Sequence, residues 1–515
     1  MVHSKPLLRH TVGMAALIFI WLAATAWARP LALPDEARYV GVAWEMVRSG
    51  SWLTPTLDGL PYFHKPPLFY WITAGSLSIF GVNEWAARAA PLLGATLGAL
   101  SIYLFMRRWS DEGTARITLM ALLAQPLFVI GGQFANLDML VAGCITATIT
   151  LLAHAALSLQ AGLPHRPALV AAYAFAALGV LAKGLIGFVI PALVILAWLL
   201  LRRQWRVVLA LLSLPGALVF LLLAAPWFVA MQLRFPDFLD YFFVVQHFKR
   251  FAAGGFNNVQ PLWFYPAVLV VFSLPCVPWL ARLFKREHWL LSDARGAVRL
   301  LLLLWVLTVV VFFSLPKSKL LGYVLPAVPA LAALLAEAYR TQRQPSLRTR
   351  RLWALSIGLS VVLALGPVAW LSVHHPKSSI ELARLVGAQH QPGQPVVMLG
   401  DIYFDLPFYA RLREPMVIVD HWNDPNNLRH DNWRKELADA GQFAPAAAAT
   451  ALVNPAALPA LLCAAPISWV LGPVSAVNSF PFVSAANSLA TYHAHTLWKF
   501  DMQEPALRRA LGCDK

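Results

Sequence analysis

Long apolar runs are the feature that most constrains this chain. A helix needs about 20 mostly apolar residues to cross the hydrocarbon core of a bilayer. Eleven such runs lie near residues 11–28, 86–106, 117–134, 139–159, 168–182, 185–201, 207–231, 262–281, 300–315, 320–339 and 352–373. Because helices satisfy their own backbone hydrogen bonds in lipid, these runs predict a mainly α polytopic bundle of about 11–13 spans. A shorter apolar run at 66–80 predicts an outer juxtamembrane helix.

The composition excludes several other classes of protein. Charged residues make up 13% of the chain, against about 25% in soluble domains. A hydrophobic content of 59% excludes intrinsic disorder, and four cysteines without metal-type spacing exclude a disulfide scaffold. The 41 Lys and Arg exceed the 25 Asp and Glu, giving a formal charge of +16. The position of these charges decides whether they indicate membrane topology or nucleic-acid binding.

Of the 41 basic residues, 19 lie in segments that share one side of the predicted membrane. Those segments carry Lys5, Arg9, Arg107, Arg108, Arg116, Arg166, Arg202, Arg203, Arg206, Arg282, Lys285, Arg286, Arg295, Arg299, Arg340, Arg343, Arg348, Arg350 and Arg351. Loops with excess Lys and Arg stay on the cytoplasmic side. The distribution therefore predicts a cytoplasmic N-terminus and places residues 376–515 outside.

Residues 376–515 differ from the membrane part in composition. They are nearly neutral, and short β-rich runs at Val396–Leu399, Met416–Val419 and Ile467–Leu471 alternate with helix-like stretches. This alternation predicts a small α/β domain with a partly parallel sheet. The predicted domains are thus a membrane domain over 1–375, with a first outer loop at 29–85, and an outer domain over 376–515.

The first outer loop contains the densest group of charged and aromatic residues. It begins with the motif Pro34-Asp-Glu-Ala-Arg-Tyr39. A proline at a helix start predicts that Asp35, Arg38 and Tyr39 share one face, with the carboxylate near the helix N-terminus. An acid, a guanidinium and a phenol suit a sugar joined to a phosphate. The alternative is the solvated face of an amphipathic surface helix.

Other outward charges lie close to the ends of predicted spans. Asp138 stands at the start of the fourth span, where an aspartate also serves as a helix N-cap. Lys183 stands between the fifth and sixth spans, where lysines also extend to the membrane surface. Further outward cations are Lys249, Arg250, Lys317 and Lys319.

Cations beside carboxylates on one face favour a particular chemistry. Lys and Arg bind phosphate oxygens, and a carboxylate deprotonates a hydroxyl or stabilises an oxocarbenium ion. A nucleotide donor is scarce outside the inner membrane. The arrangement therefore predicts sugar transfer from a lipid-phosphate donor, with the lipid phosphate as the leaving group.

Two motifs carry a resemblance to a known family. The Pro34–Tyr39 motif and His64-Lys-Pro-Pro-Leu68 resemble the C-type membrane glycosyltransferases, more closely the lipid A aminoarabinose transferases, which overlap the protein O-mannosyltransferases. The likeness runs from about residue 10 to 375, and the outer α/β tail fits too. It implies an inverting enzyme of the bacterial inner membrane with a periplasmic C-terminal domain.

The resemblance also implies substrates and residue roles. The donor is an undecaprenyl-phosphate sugar, plausibly 4-amino-4-deoxy-L-arabinose, and the acceptor is a lipid A phosphate. Asp35 and Asp138 match the family's catalytic aspartates. Residues that match the family's substrate-binding positions are Arg38, Tyr39, Lys65, Lys183, Arg250, Lys319 and Tyr323.

One position departs from the family pattern. The aminoarabinose transferases usually have Glu before the lysine of the second motif, and here that position is His64. The family requires no cofactor in general, but Glu with a downstream His can hold a structural Zn²⁺. His64 with His247 is the corresponding pair, and imidazoles bind Zn²⁺. The replacement also raises the possibility of another sugar.

Three alternatives remain open at the level of sequence. The same catalytic set serves transfer to protein Ser/Thr or to another envelope glycan. A transporter or flippase is disfavoured because the charges cluster at span ends and no inverted repeat is present. The tail, whose Asp401, Asp405 and His421 show no catalytic spacing, can also serve as a structural or partner-binding unit.

Overall fold

The membrane part of the protein is helical. A computed structural model describes residues 4–249, 258–284, 294–341, 344–429 and 432–513. The α-helices up to residue 375 are Ser4–Ala23, Asp35–Ser49, Leu68–Phe80, Glu84–Ala87, Ala89–Trp109, Glu112–Ala124, Pro126–Gly132, Leu137–Gln160, Arg166–Lys183, Ile186–Leu201, Trp205–Ala210, Leu214–Arg234, Phe264–Phe272, Ala294–Ser314, Val328–Arg340 and Leu347–Val373. A π-helix covers Asp240–Lys249, and 3₁₀ helices cover Val277–Phe284 and Leu321–Ala327.

The predicted spans correspond to helices. Within the described residues, seven helices are long and apolar enough to cross a membrane, or nine if each bent pair forms one span. The two remaining runs form the shorter apolar helices His10–Ala23 and Ile186–Leu201. The run at 66–80 forms the helix Leu68–Phe80, as predicted. A mainly α polytopic bundle is therefore confirmed.

Small residues allow two central helices to approach closely. Gly143 faces the backbone of Gly94 so tightly that an added Cβ would overlap the Gly94 carbonyl. In lipid, where apolar side chains gain little by leaving solvent, such close backbone contact is a main source of helix association. It fixes the helix Leu137–Gln160, which begins next to Asp138, against the helix Ala89–Trp109.

Some basic residues at the predicted cytoplasmic ends have acidic partners. Arg299 Nε lies 2.8 Å from Glu337, and Arg295 Nη2 lies 2.6 Å from Asp111. Arg340 is also within 3.4 Å of Asp111. These arginines therefore hold helix ends together in addition to contributing positive charge.

The C-terminal part contains a six-stranded sheet. Its strands are β3 (Val396–Leu399), β4 (Val417–Val419), β5 (Leu452–Val453), β6 (Ile467–Pro473), β7 (Asn487–Tyr492) and β8 (His495–Asp501), after a small hairpin of β1 (Thr56–Leu57) and β2 (Leu60–Pro61) in the first loop. The sheet order is β5-β4-β3-β6-β8-β7. The strands β5, β4, β3 and β6 pair in parallel, whereas β8 pairs antiparallel with both β6 and β7. The α-helices of this part are Ile380–Gln389, Leu406–Tyr409, Pro425–Arg429, Trp433–Gln442, Pro445–Ala451, Leu458–Ala464, Ala476–Ser479 and Pro505–Leu511.

The predicted α/β character of the tail is confirmed. β3 has the predicted bounds, and the sheet is partly parallel. The short strand β5 and the β7–β8 hairpin were not predicted. Cys463 and Cys513 form a disulfide with a Cα–Cα distance of 5.5 Å, which joins the last helix to the body of the tail.

The tail packs on the turn of the first-loop hairpin. Asp58 and Gly59 form this turn with positive φ, and Glu45 accepts their backbone N–H groups at 2.5 and 3.1 Å. Asp58 in turn accepts the N–H of Met416 from the tail at 2.7 Å. Burial, assisted by the charge of Glu45, raises the pKa of Asp58 to about 8.

Asp58→Asn should reduce the dependence of the protein's stability on pH. Native Asp58 keeps its proton up to about pH 8, whereas an unfolded aspartate loses it near pH 4. Wild-type stability should therefore fall as pH rises from about 4 to 8, by up to roughly 1.4 kcal/mol per pH unit. The variant keeps the acceptor for Met416 and tolerates positive φ. Thermal unfolding in detergent between pH 5 and 9 should show a shallower decline for the variant; parallel curves would contradict the assignment.

Candidate functional site

A polar cavity of about 60 Å³ lies between the membrane helices, the first loop and the tail. It is lined by Asp35, Arg38, Tyr39, Tyr62, His64, Lys65, Asn136, Leu137, Asp138, Lys183, Leu320, Tyr323 and Glu436. Both predicted catalytic aspartates are among them, as are five of the seven predicted substrate-binding residues: Arg38, Tyr39, Lys65, Lys183 and Tyr323. The structure thus brings together residues that are up to 401 positions apart in sequence.

The helix Asp35–Ser49 supplies one wall of the cavity. It begins at Asp35, directly after Pro34, as the motif predicts. Arg38 Nη2 donates to Asp35 Oδ1 at 2.7 Å, and its Nη1 donates to Glu436 at 2.5 Å. The guanidinium also lies 5.2 Å from the centre of the Tyr39 ring. Asp35 remains 42% exposed, so its carboxylate is open to a ligand.

Burial sets the protonation of the other groups on this wall. Burial acts to lower the pKa of Arg38, but Glu436 together with Tyr62, Tyr39 and Asp35 outweighs it and raises the pKa above the ordinary value. Burial also raises the pKa values of Tyr39 and Tyr62. Both phenols therefore keep their protons at neutral pH; Tyr62 donates to Glu436, and Tyr39 can donate a hydrogen bond to a bound sugar or phosphate.

Asp138 faces the cavity from the first turn of the helix Leu137–Gln160. The N-cap of this helix is Asn136, whose side chain accepts from the N–H of Asp138 at 3.0 Å. The alternative that Asp138 is the cap is therefore wrong. Its carboxylate instead forms an ion pair with Lys183 and accepts from Asn136 Nδ2 at 3.1 Å.

Lys183 and Tyr323 complete this side of the cavity. Lys183 Nζ lies 4.2 Å from the centre of the Tyr323 ring. The lysine is directed to a carboxylate and an aromatic face rather than to the membrane surface. Beside Tyr323, the space where a Cβ of Gly322 would lie is occupied by the Asp138 carboxylate. A glycine at this position is needed for the carboxylate to reach Lys183.

His64 is held by aromatic neighbours. Its Nε2 lies 2.8 Å from Tyr241 Oη, and its ring stacks on Tyr62 with centroids 4.7 Å apart. The side chain of His247 lies outside the described residues. Within the described ranges no group of three or more His, Cys, Asp or Glu could hold a metal ion. The Zn²⁺ pair therefore stays a prediction, and no chemical step is derived from it.

Lys319 does not line the cavity, and the position of Arg250 is not described. Lys319 is buried and donates from Nζ to the carbonyl of Gln260 at 2.7 Å, because residues 317–319 pair with the backbone of 258–260. It therefore stabilises the loop before the 3₁₀ helix rather than lining the site. Arg250 lies outside the described residues.

Glu436 was missed by sequence reasoning. It lies on the tail helix Trp433–Gln442, and it joins Arg38 to the hydroxyl of Tyr62, which donates to it at 2.9 Å. Tyr62 lies two residues before the second motif, but nothing near Glu436 in sequence marks it as a site residue. The position of Glu436 on the inner face of an amphipathic helix was a weak signal, because a buried acid needs a partner.

Known proteins resemble this chain in sequence. A family model described as dolichyl-phosphate-mannose-protein mannosyltransferase matches residues 64–229. An undecaprenyl phosphate-alpha-4-amino-4-deoxy-L-arabinose arabinosyl transferase from Pseudomonas aeruginosa is 34% identical over 355 residues, which cover 67% of this chain. The match spans 62% of the length of that relative.

Solved structures share the fold over nearly the whole chain. The crystal structure of ArnT from Cupriavidus metallidurans bound to undecaprenyl phosphate matches with a TM-score of 0.80 and 22% identity, covering 98% of this chain and 99% of that one. The archaeal oligosaccharyltransferase AglB from Archaeoglobus fulgidus matches with a TM-score of 0.52 and 14% identity, covering 94% and 71%. The chain belongs to the C-type membrane glycosyltransferases.

One buried carboxylate organises the site of this C-type glycosyltransferase. Glu36, next to Asp35, pairs with Arg29 and accepts from Arg88 Nε at 3.0 Å. It also accepts the N–H of Ala135 at 2.8 Å. Burial opposes its ionisation, but the charges of Arg29 and Arg88 prevail and lower the pKa of Glu36 to about 2.

Glu36→Gln should strongly destabilise the glycosyltransferase. The substitution leaves two guanidiniums without a counter-charge in a buried position, at a cost of about 3–5 kcal/mol. Glu381→Gln is the matched control, because Glu381 pairs with Arg384 at a largely exposed position. An exposed ion pair contributes about 0–1 kcal/mol to stability. Unfolding curves in detergent should separate the two variants clearly. Equal stability of both would exclude a structural role for the Glu36 cluster.

Gly322→Ala should impair the glycosyltransferase without unfolding it. The new methyl group displaces the Asp138 carboxylate from Lys183, and we expect a loss of transfer rate of about tenfold or more. Gly358→Ala is the control, since a Cβ there meets no atom within 4 Å. Rates are measured in proteoliposomes alongside thermal stability. An unchanged rate for Gly322→Ala would show that the position of Asp138 is not critical.

Proposed function

We propose that this chain transfers a sugar from an undecaprenyl-phosphate carrier to a lipid A phosphate at the periplasmic face of the bacterial inner membrane. The proposed sugar is 4-amino-4-deoxy-L-arabinose. The observation that carries the proposal is the cavity in which Asp35 and Asp138 face Arg38, Lys65 and Lys183. The name of the Pseudomonas relative supports the choice of donor.

The first-loop residues act on the donor in this proposal. Lys65 and Arg38 bind the carrier phosphate, and Asp35 lies beside the anomeric carbon. An oxygen of the acceptor attacks that carbon from the opposite face. The bond from the carbon to the carrier phosphate breaks, and undecaprenyl phosphate leaves with the electron pair. The cations stabilise the charge that develops on this leaving group.

The opposite wall receives the acceptor in this proposal. Lys183 is oriented by Asp138 and the Tyr323 ring, so its ammonium has a fixed position at the cavity. An anionic acceptor can exchange with Asp138 for this ammonium. An acceptor phosphate is already ionised and needs little help from a general base.

The disulfide of the tail supports the proposed location. Disulfides persist in the periplasm and other oxidising compartments and are rare in the cytosol. Cys463 and Cys513 are joined in the tail, whereas Cys144 and Cys276 in the membrane part are free. This favours a periplasmic tail and a cavity at the periplasmic end of the spans.

Asp35→Asn and Lys65→Ala should each lower the transfer rate by about 10²–10³. The first removes the charge beside the anomeric carbon, and the second removes a cation from the leaving phosphate. Exposed Asp237→Asn and Lys377→Ala are the matched controls and should leave the rate unchanged. Purified variants are assayed with an undecaprenyl-phosphate sugar and lipid A. Full activity of both site variants would refute the site assignment.

A second acceptor is favoured by one observation, the match of residues 64–229 to a protein mannosyltransferase model. A Ser or Thr acceptor must lose a proton and so depends on a general base, whereas a phosphate does not. A much larger effect of Asp35→Asn on a hydroxyl acceptor would favour the protein or glycan substrate. Mass spectrometry of lipid A from cells with and without the gene tests the main proposal directly. A difference of one aminopentose supports lipid A, and its absence supports the second acceptor.

A further inference from the structure

An apolar groove lies at the membrane-facing surface of the bundle, away from the polar cavity. It has a volume of about 230 Å³, and its lining includes Tyr173, Phe188, Ile195, Leu199, Val208 and Leu212. These residues come from the helices Arg166–Lys183, Ile186–Leu201 and Trp205–Ala210 and from the segment after the last of these. None of the lining residues is charged.

The length of the groove corresponds to one leaflet. Phe188 and Leu199 lie on one helix and, at 1.5 Å per residue, are about 16 Å apart along its axis. The hydrocarbon core of a bilayer is about 30 Å thick, so this is close to half its thickness. A groove of this length accommodates the acyl chain of a lipid from a single leaflet.

A cation continues the same helix face beyond the groove. Ile195, Leu199 and Arg202 are spaced by four and three residues, so they share one face. Arg202 Nη2 donates to Gln160 Oε1 at 3.3 Å, and its guanidinium lies 5.0 Å from the centre of the Trp198 ring. Arg202 Nη1 is buried and has no hydrogen-bond partner among the described residues. A phosphate at the end of an acyl chain in the groove would supply an acceptor for this guanidinium.

The surroundings of Arg202 favour a negatively charged lipid. Arg203 and Arg206 follow in the same short connection. Trp205 is exposed between them, and tryptophan is enriched at membrane–water interfaces. Each basic residue near an anionic membrane surface adds about 1 kcal/mol of attraction. The helix Ile186–Leu201 begins just after Lys183 of the polar cavity and ends at Arg202, so the two sites lie at opposite membrane surfaces.

We propose that the groove and Arg202 bind one anionic phospholipid of the leaflet opposite to the polar cavity. Its acyl chain lies along Phe188–Leu199 and its phosphate binds the guanidinium of Arg202. A polyprenyl chain fits less well, because its phosphate belongs at the other membrane surface and its length exceeds one leaflet. The choice against a polyprenyl chain rests on the proposed donor site, whereas the binding of a phospholipid does not.

Native mass spectrometry of the full chain tests the proposal with phosphatidylglycerol, phosphatidylcholine and undecaprenol as probes. The wild type should retain one phosphatidylglycerol with about tenfold preference over phosphatidylcholine. Arg202→Ala should abolish the preference, Arg202→Lys should keep part of it, and Arg203→Ala should leave it nearly unchanged. Ala192→Trp, which fills the groove without changing charge, should weaken retention of phosphatidylglycerol.

Two results would overturn the proposal. One is equal retention of phosphatidylglycerol by Arg202→Ala and Arg203→Ala. The other is displacement of phosphatidylglycerol by undecaprenol, which would assign the groove to a polyprenyl chain. If Arg202→Ala does not fold, Ala192→Trp and Arg202→Lys still decide between these outcomes.

Discussion

The carboxylate of Glu36 is the interaction on which the site depends. It is fully buried between Arg29, in the loop after the first helix, and Arg88, at the start of the helix Ala89–Trp109. A lone carboxylate in this position would be prohibitively costly, and so would two lone guanidiniums. The three charged groups are therefore stable in the interior only as a cluster. Their assembly requires that these chain segments meet in one arrangement.

This cluster also sets the distance between the two site aspartates. Asp35 precedes Glu36 in the same helix, and Ala135, whose N–H binds Glu36, lies three residues before Asp138. Both aspartates are thus placed by short, rigid connections to one buried group. The close contact of Gly94 with Gly143 holds the helix that follows Asp138 and limits its movement.

Much of the fold was predictable because the bilayer restricts what a chain can do. Eleven apolar runs became helices or bent helix pairs, since a lipid environment leaves few alternatives for the backbone. The face shared by Asp35 and Arg38 was predictable because it follows from helix geometry over three residues. Glu436 was not predictable, because it reaches Arg38 across 398 positions and only tertiary structure brings the tail there. The contact of Lys319 was not predictable for a related reason: its partner is a backbone carbonyl, and side-chain patterns carry no information about that.

Carboxylates that line the cavity provide the negative charge that a bound substrate phosphate would otherwise provide. Among its lining residues, Asp35, Asp138 and Glu436 balance Arg38, Lys65 and Lys183, so the formal charges of these six groups cancel. For a donor that carries phosphate, binding is then an exchange of anions around fixed cations rather than the filling of a positively charged hole. In the proposed reaction, the protein carboxylates regain their cations when undecaprenyl phosphate departs. A site with no net charge attracts free anions less than a positively charged one, so under the proposed function its selectivity rests on the sugar and the lipid as well as on charge.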